Sequence, residues 1–218
     1  MKKTILAALM VFIALALTGC GDGGSSSPIF VTQILSDPAL DGDIFKDTLT
    51  PPAFTITQGM RLSPPPPVQS VFAGIDATPV TGGEFRAFLD FHLGGTGGVP
   101  LNAFIVSAFL DLFITSNISG SIPVSIDLVS LQLPTSQLTP GDFNSAFLST
   151  TTTTLFIRQA NIRQQVSIDV TPLMAEAQRL GLPGLQVRIL CGAGIIEIDD
   201  RTGVDRSSFA PLLQVAYF

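Results

Sequence analysis

The chain has 218 residues, 46% of them hydrophobic and only 13% charged, which is enough apolar material for one sizeable core. Its 11 basic and 17 acidic residues give a formal net charge of −6, which argues against nucleic acid or an anionic membrane face as an electrostatic partner. A single histidine excludes a metal centre built from a histidine cluster.

The first 20 residues have the pattern of a secretory leader that ends in a cysteine. Lys2 and Lys3 supply the charged start, and the apolar run that follows, 5–17, is shorter than the roughly 20 residues of a transmembrane helix. The next residues, Leu17-Thr18-Gly19-Cys20, resemble the lipobox of bacterial lipoprotein signal peptides. The resemblance implies that 1–19 is cleaved off, that diacylglycerol is attached to the Cys20 sulfur, and that the new amino group is acylated.

Such a modification would hold the mature protein at a membrane without a spanning helix. Several acyl chains, each contributing roughly 0.8 kcal/mol per buried CH₂, are sufficient for stable anchoring. An ordinary secretory signal with a chance cysteine is the alternative. In enterobacterial lipoproteins an Asp directly after the Cys tends to retain the protein in the inner membrane, and the residue here is Gly21. The resemblance therefore favours the outer membrane of the cell envelope, on its periplasmic or its external side.

Residues 20–28 are predicted to be the lipid-attachment cysteine and a flexible linker. The linker has no large apolar side chain before Ile29 and is rich in Gly and Ser, which gives a root-mean-square reach of about 15 Å. Residues 29–218 are predicted to form a single domain that begins with a strand at 29–35. Asp41-Gly42-Asp43 is predicted to be a turn. Four consecutive prolines in 63–67 favour a rigid polyproline II loop, with a proline-binding partner as the alternative.

Beyond the prolines, the dominant pattern alternates apolar and polar residues with a period of two, which is typical of half-buried strands. Phe85, Ala87, Leu89 and Phe91 share one face of such a strand, and 104–114 follows the same rule. Many short strands separated by turn residues predict an all-β fold, a jelly-roll β-sandwich. Further strands are predicted at 71–76, 122–131, 153–158, 162–170, 185–191, 195–198 and 212–218.

One short helix is predicted after residue 170, where Asp169 or Thr171 can cap and Pro172 suits the first turn. Gly181 and Pro183 end the helix, and its apolar stripe must pack on the sandwich.

Cys191 is the only cysteine besides Cys20, so an internal disulfide is excluded. Its strand position favours a buried small apolar side chain over a reactive thiol.

Five short motifs follow one another along the chain. They are RAFLDF at 86–91, IVSAFLDL at 105–112, VSIDVTPL at 166–173, GLQV at 184–187 and PLLQVAY at 211–217. In this order they resemble the motifs of DNRLRE-type domains, a jelly-roll family of bacterial and archaeal cell-surface proteins related to carbohydrate-binding modules. The resemblance covers about 41–218 and implies the same fold and a place at the cell surface. The chain lacks the tryptophan common in that family, so the fold transfers more safely than the function.

Two groups of residues are candidates for chemistry. Asp90 and His92 share a strand face and could form a catalytic dyad, although a polar strand face is favoured and no G-x-S-x-G motif is present. Four carboxylates in a late loop could hold a structural Ca²⁺, although a solvated loop paired with Arg201 and Arg206 is favoured. These carboxylates are Glu197, Asp199, Asp200 and Asp205.

The 16 phenylalanines mostly fit alternating apolar positions, and there is no tryptophan and one tyrosine, Tyr217, to serve as a flat sugar platform. Phe88, Phe109 and Phe113 lie on the strand faces opposite the most apolar ones. They are expected either in a second core layer, which is favoured, or in an exposed patch.

The sequence thus predicts a lipid-anchored, non-catalytic envelope protein for display, adhesion or binding. The alternatives are a carbohydrate-binding module and, less favoured, a polysaccharide-acting enzyme. No cofactor is expected besides the lipid and the Ca²⁺ considered above, and the expected partners are a membrane and a polysaccharide or an envelope protein.

Overall fold

The computed structural model describes residues 28–59, 70–78, 82–117, 120–131 and 137–218. These residues form twelve β-strands, all paired antiparallel, and two short α-helices. The alternating sequence therefore folds as predicted, into an all-β jelly-roll sandwich. The strands are β1 Phe30–Leu35, β2 Gly42–Asp47, β3 Phe54–Gln58, β4 Ser70–Asp76, β5 Gly83–His92, β6 Ile105–Asn117, β7 Ile122–Leu128, β8 Thr153–Ile157, β9 Gln164–Asp169, β10 Gly184–Cys191, β11 Ile195–Asp199 and β12 Leu212–Tyr217.

The strands form two layers that are joined at their edges. The first layer is built around the long strand β6, which pairs with β9 along one edge. Along its other edge, β6 pairs first with β12 and then with β11. β1 pairs with the far edge of β12, and β4 pairs with the far edge of β11. The second layer has the order β3-β2-β5-β10-β7-β8. Strands β4 and β5 pair only where 74–76 meets 83–85 and then separate into the two layers. Most connections between successive strands cross from one layer to the other, as in a jelly roll, whereas β2–β3, β7–β8 and β11–β12 stay within a layer.

The main core lies between the layers, where inward-facing residues such as Leu89, Phe91, Leu110 and Leu112 are wholly buried. A second, smaller core lies on the outer side of the second layer, beneath 137–147. It buries the opposite face of β5, so Phe88 is in a second core layer, as favoured by the sequence. The other members of this smaller core are Ile44, Val129, Leu131, Leu138 and Phe143.

Helix α1, Thr171–Arg179, closes one end of the sandwich, as its apolar stripe predicts. The carboxylate of Asp169 accepts a hydrogen bond of 2.9 Å from the backbone N–H of Thr171, and Pro172 occupies the first turn. Leu173, Met174 and Ala177 are wholly buried against the strands. A second helix, α2, spans Arg206–Phe209. Within the described ranges, neither helix has the length and apolarity needed to cross a bilayer.

Ten strands lie where the sequence predicts them, but the turn at Asp41-Gly42-Asp43 was wrong, because Gly42 and Asp43 begin β2. The glycine is needed for close packing: a Cβ on Gly42 would lie 2.4 Å from the backbone oxygen of Thr57 in β3. Strand β3 was not predicted. The signal peptide, the lipobox, most of the linker and the proline run lie outside the described residues.

Candidate functional site

An open cavity of about 470 Å³ lies at one end of the sandwich, between the β2–β3 loop and the β4–β5 hairpin. We call it the open cavity. Its volume lies within the usual range of ligand sites. Its lining combines charged groups with apolar side chains and contains no aromatic ring. The lining residues are Lys46, Asp47, Thr48, Leu49, Pro52, Ile75, Asp76, Gly83 and Glu84.

Side-chain hydrogen bonds fix the walls of the open cavity. Oδ1 of Asp47 accepts hydrogen bonds from the backbone N–H groups of Leu49 and Ala53, at 3.1 and 2.8 Å, and so holds the β2–β3 loop. Oδ1 of Asp76 accepts hydrogen bonds from the backbone N–H and the hydroxyl of Thr78, which lower the pKa of Asp76. Leu49 stays exposed beside these carboxylates. The open cavity therefore suits a polar ligand that also has an apolar face.

The pairing of the strands locates the open cavity relative to the start of the chain. Ile196 of β11 lies opposite Asn117, the last residue of β6, and Ile195 lies opposite Gly74 of β4. The open cavity, lined by residues 75 and 76, therefore lies beyond the Asn117 end of β6. Phe30, the first residue of β1, lies opposite Tyr217, which pairs with Ile105 at the other end of β6. The open cavity and the start of the sandwich are thus at opposite ends.

The four carboxylates considered for Ca²⁺ make separate contacts. The two oxygens of Glu197 accept hydrogen bonds from the hydroxyls of Ser70 and Ser116, at 2.8 and 3.0 Å. Asp199 is buried and pairs with Arg201 at 2.5 Å, and its hydrogen bond raises the pKa of Arg201. Among the described residues, no group of three or more histidine, cysteine, aspartate or glutamate side chains is arranged to hold a metal ion. Calcium binding by these residues stays a prediction without geometric support.

Asp200 instead faces a partner that the sequence did not indicate, Asp41. Both side chains are fully buried, and each carboxyl shifts the pKa of the other. Burial raises the pKa of Asp41 well above its usual value, and the charge of Asp200 raises it further. Burial likewise raises the pKa of Asp200, to about 7. The two carboxyls therefore retain a proton below about pH 7, because burial and mutual repulsion disfavour the ionisation of both.

The surroundings of this carboxyl pair join two connections of the sandwich, one from β1 to β2 between the layers and one from β11 to β12 within the first layer. Asp41 ends the connection from β1 to β2, and its Oδ1 accepts a hydrogen bond of 2.8 Å from the backbone N–H of Asp90 in β5. Asp200 begins the connection from β11 to β12, where the charge of Arg206 lowers its pKa and the charges of Asp199 and Asp37 raise it. Each carboxyl keeps one oxygen, Asp41 Oδ2 and Asp200 Oδ1, without a donor from the other described residues.

The residues of the proposed dyad line a small cavity of about 160 Å³ beside this pair. Asp90 is nearly buried and accepts a hydrogen bond of 2.7 Å from Nε2 of Gln186, whereas His92 is exposed. Burial raises the pKa of Asp90, and the charge of His92 lowers it. This contact between Asp90 and Gln186 fits the favoured interpretation of a polar strand face.

The remaining candidates divide between core and surface. Cys191 is buried, as predicted, and burial raises the pKa of its thiol to about 12, so the thiol is inert at neutral pH. Phe113 is half-buried and packs edge-on against Phe209 at 4.8 Å between ring centroids. Phe109, which was expected in the core, is 40% exposed. The hydroxyl of Tyr217 donates a hydrogen bond to the backbone oxygen of Gly98.

Compared with known proteins, the chain matches no family model and no curated protein. The lipobox and the resemblance to DNRLRE-type domains therefore stay predictions from the sequence. The fold itself defines the class, an all-β jelly-roll sandwich with one helix across an end.

Proposed function

We propose that the chain is a lipid-anchored protein of the bacterial cell envelope whose sandwich has a non-catalytic role in display, adhesion or binding. The observation that carries this proposal is Leu17-Thr18-Gly19-Cys20, placed directly after an apolar run that is too short to span a bilayer. The described sandwich begins with β1 at Phe30, ten residues after Cys20. A compact domain so close to a lipidated cysteine is a suitable module for a membrane surface.

Attachment of fatty acid tests the proposal directly. The full chain is expressed in a Gram-negative host that is fed an alkyne-labelled fatty acid, and we expect the label in the mature protein and the protein in the membrane fraction. Cys20→Ser should lose the label and move to the soluble fraction. Cys191→Ser is the matched control, because that thiol is buried and should leave the label unchanged. A wild-type protein without label would contradict the proposal.

Carbohydrate binding is the second candidate for the role of the sandwich, and the open cavity favours it. A sugar has hydroxyls for groups such as Asp47, Thr48 and Asp76, and a weakly polar ring face for Leu49 and Ile75. The resemblance to DNRLRE-type domains points in the same direction, since that family is related to carbohydrate-binding modules.

A further inference from the structure

The end of the sandwich where β1 begins has an unusually apolar surface. Of the 14 large apolar side chains that are exposed among the described residues, six lie together here, on three neighbouring strands and the turn before β6. Scattered exposed apolar residues are normal, but a contiguous group marks an interaction surface. We call this group the apolar end patch. Its members are Ile29, Val31, Leu101, Phe104, Val106 and Phe218.

Strand pairing places these side chains next to one another. Phe104 and Phe218 exchange backbone hydrogen bonds, and their rings stack with centroids 4.9 Å apart. On the next strand, Val31 lies opposite Ala216, which puts Ile29 beside Phe218. Val106 is the extra residue of an irregularity in β6, where Tyr217 pairs with Ile105 and Ala216 with Ser107. The patch is therefore continuous across β1, β12 and β6.

The same surface lacks charge, although the chain carries 28 acidic and basic residues. The three segments that build it, 28–36, 93–110 and 207–218, contain no Asp, Glu, Lys, Arg or His. Beside the patch, Arg179 at the end of α1 lines a shallow groove together with Leu101 and Phe104, and its guanidinium is paired with Glu176 at 2.7 Å. A long, exposed arginine can keep its guanidinium among lipid headgroups while its neighbours are in apolar contact.

The length of chain before the sandwich limits how far this end can lie from a lipid on Cys20. Whatever conformation they adopt, the eight residue steps from Cys20 to Pro28 span at most about 28 Å. Pro28 directly precedes Ile29 of the apolar end patch. An anchor on Cys20 therefore keeps this end of the sandwich within about 28 Å of the lipid-bearing cysteine.

We propose that the apolar end patch lies against the bilayer, with its phenylalanine and leucine side chains at the boundary between headgroups and acyl chains. This inference rests on the proposed lipid anchor, because the anchor keeps the sandwich near the bilayer. The patch then determines which end of the sandwich faces the bilayer. Apolar and aromatic side chains that enter this boundary stabilise the bound state, because their surface is removed from water. The patch carries no charge, so the negative net charge of the chain does not oppose the contact at this end.

The absence of tryptophan from the chain permits a clean test with single tryptophan reporters. Phe104→Trp places the reporter in the patch, and Phe156→Trp places a control on β8 in the other layer; the native side chains are 64% and 62% exposed. Each acylated full-length variant is inserted into phosphatidylcholine vesicles with or without brominated acyl chains. We expect the emission of Phe104→Trp to be blue-shifted in both kinds of vesicle and quenched in the brominated ones, and the emission of Phe156→Trp to show neither change.

The outcomes separate the anchor from the orientation. Co-flotation of both variants with the vesicles, with neither reporter quenched, would overturn the membrane contact and leave the anchor intact. Blue-shifted but unquenched emission from Phe104→Trp would also overturn it and would show that protein, such as a second copy, covers the patch. Failure of the labelled wild-type chain to float would overturn both proposals. Leu101→Trp repeats the measurement at a second exposed position, should Phe104→Trp disturb folding.

Discussion

At the scale of single residues, the pair Asp41–Asp200 is the feature with the largest electrostatic consequence. Two fully buried carboxyls that retain a proton bind that proton more tightly in the folded chain than in the unfolded one. An unfolded aspartate has a pKa of about 3.9, against about 7 for Asp200 in the folded protein. The contribution of this pair to the free energy of unfolding is therefore largest below pH 4 and falls as the pH rises towards 7.

The pH dependence of the free energy of unfolding can be measured, and a substitution in the pair should reduce it. We expect the free energy of unfolding of the wild type in urea to fall by on the order of 3 kcal/mol between pH 4 and pH 8. Asp200→Asn removes one of the two titrating carboxyls and the charge that further raises the pKa of Asp41, so it should reduce this slope. Asp205→Asn, an exposed neighbour outside the pair, is the control and should keep it. A wild type with no slope, or a slope unchanged in Asp200→Asn, would contradict the assignment.

At the scale of elements, a buried ion pair joins the strands of the second layer to the segment that covers them. Arg188 in β10 donates a hydrogen bond of 2.9 Å to Asp127 in β7, and another of 2.8 Å to the backbone oxygen of Ser145. Asp127 also accepts a hydrogen bond from the hydroxyl of Thr152, just before β8. The pair thus holds β7 and β10 to the connection between β7 and β8, which passes over the smaller core.

Removing one partner of this ion pair should lower the free energy of unfolding more than removing both partners. Asp127→Ala leaves a buried guanidinium unpaired, and we expect it to lower the free energy of unfolding by about 3 to 5 kcal/mol. The double variant Asp127→Ala with Arg188→Met should recover most of that loss. Glu176→Ala, which breaks the exposed pair with Arg179, should have no measurable effect. Urea denaturation of the four proteins gives the comparison, and a double variant less stable than Asp127→Ala would refute the explanation.

The elements that the sequence predicted are those specified by local pattern. Alternation along the chain is enough to place strands, and Asp169, Pro172 and Gly181 are enough to delimit α1. Gly42 misled the prediction because a glycine between two aspartates usually marks a turn, whereas its partner here is the backbone of Thr57. Asp200 was a candidate, but nothing near it in the sequence points to Asp41, since the fold alone brings these two connections together. The apolar end patch is likewise assembled from three distant segments.

At the scale of the whole molecule, the apolar end patch and the open cavity define an axis. β6 runs from Ile105 to Asn117, and at about 3.3 Å per residue these twelve steps separate the two ends by roughly 40 Å. With the patch at the bilayer, the open cavity lies at the end of the described sandwich that points away from the membrane. A polymer in the cell wall or matrix would meet that end first.

The position of the open cavity therefore gives a prediction about binding. If the cavity binds sugar, the purified wild type should bind at least one polysaccharide on a glycan array, and Ile75→Arg should abolish this binding by filling the cavity with a long charged side chain. Val204→Arg is the matched control, because Val204 is 96% exposed on the loop between β11 and β12 and should tolerate the same change without loss. Equal loss in both variants would indicate a charge effect unrelated to the cavity. A wild type that binds no glycan would exclude the carbohydrate candidate while leaving the anchor and its orientation unaffected, because those depend on the opposite end of the molecule.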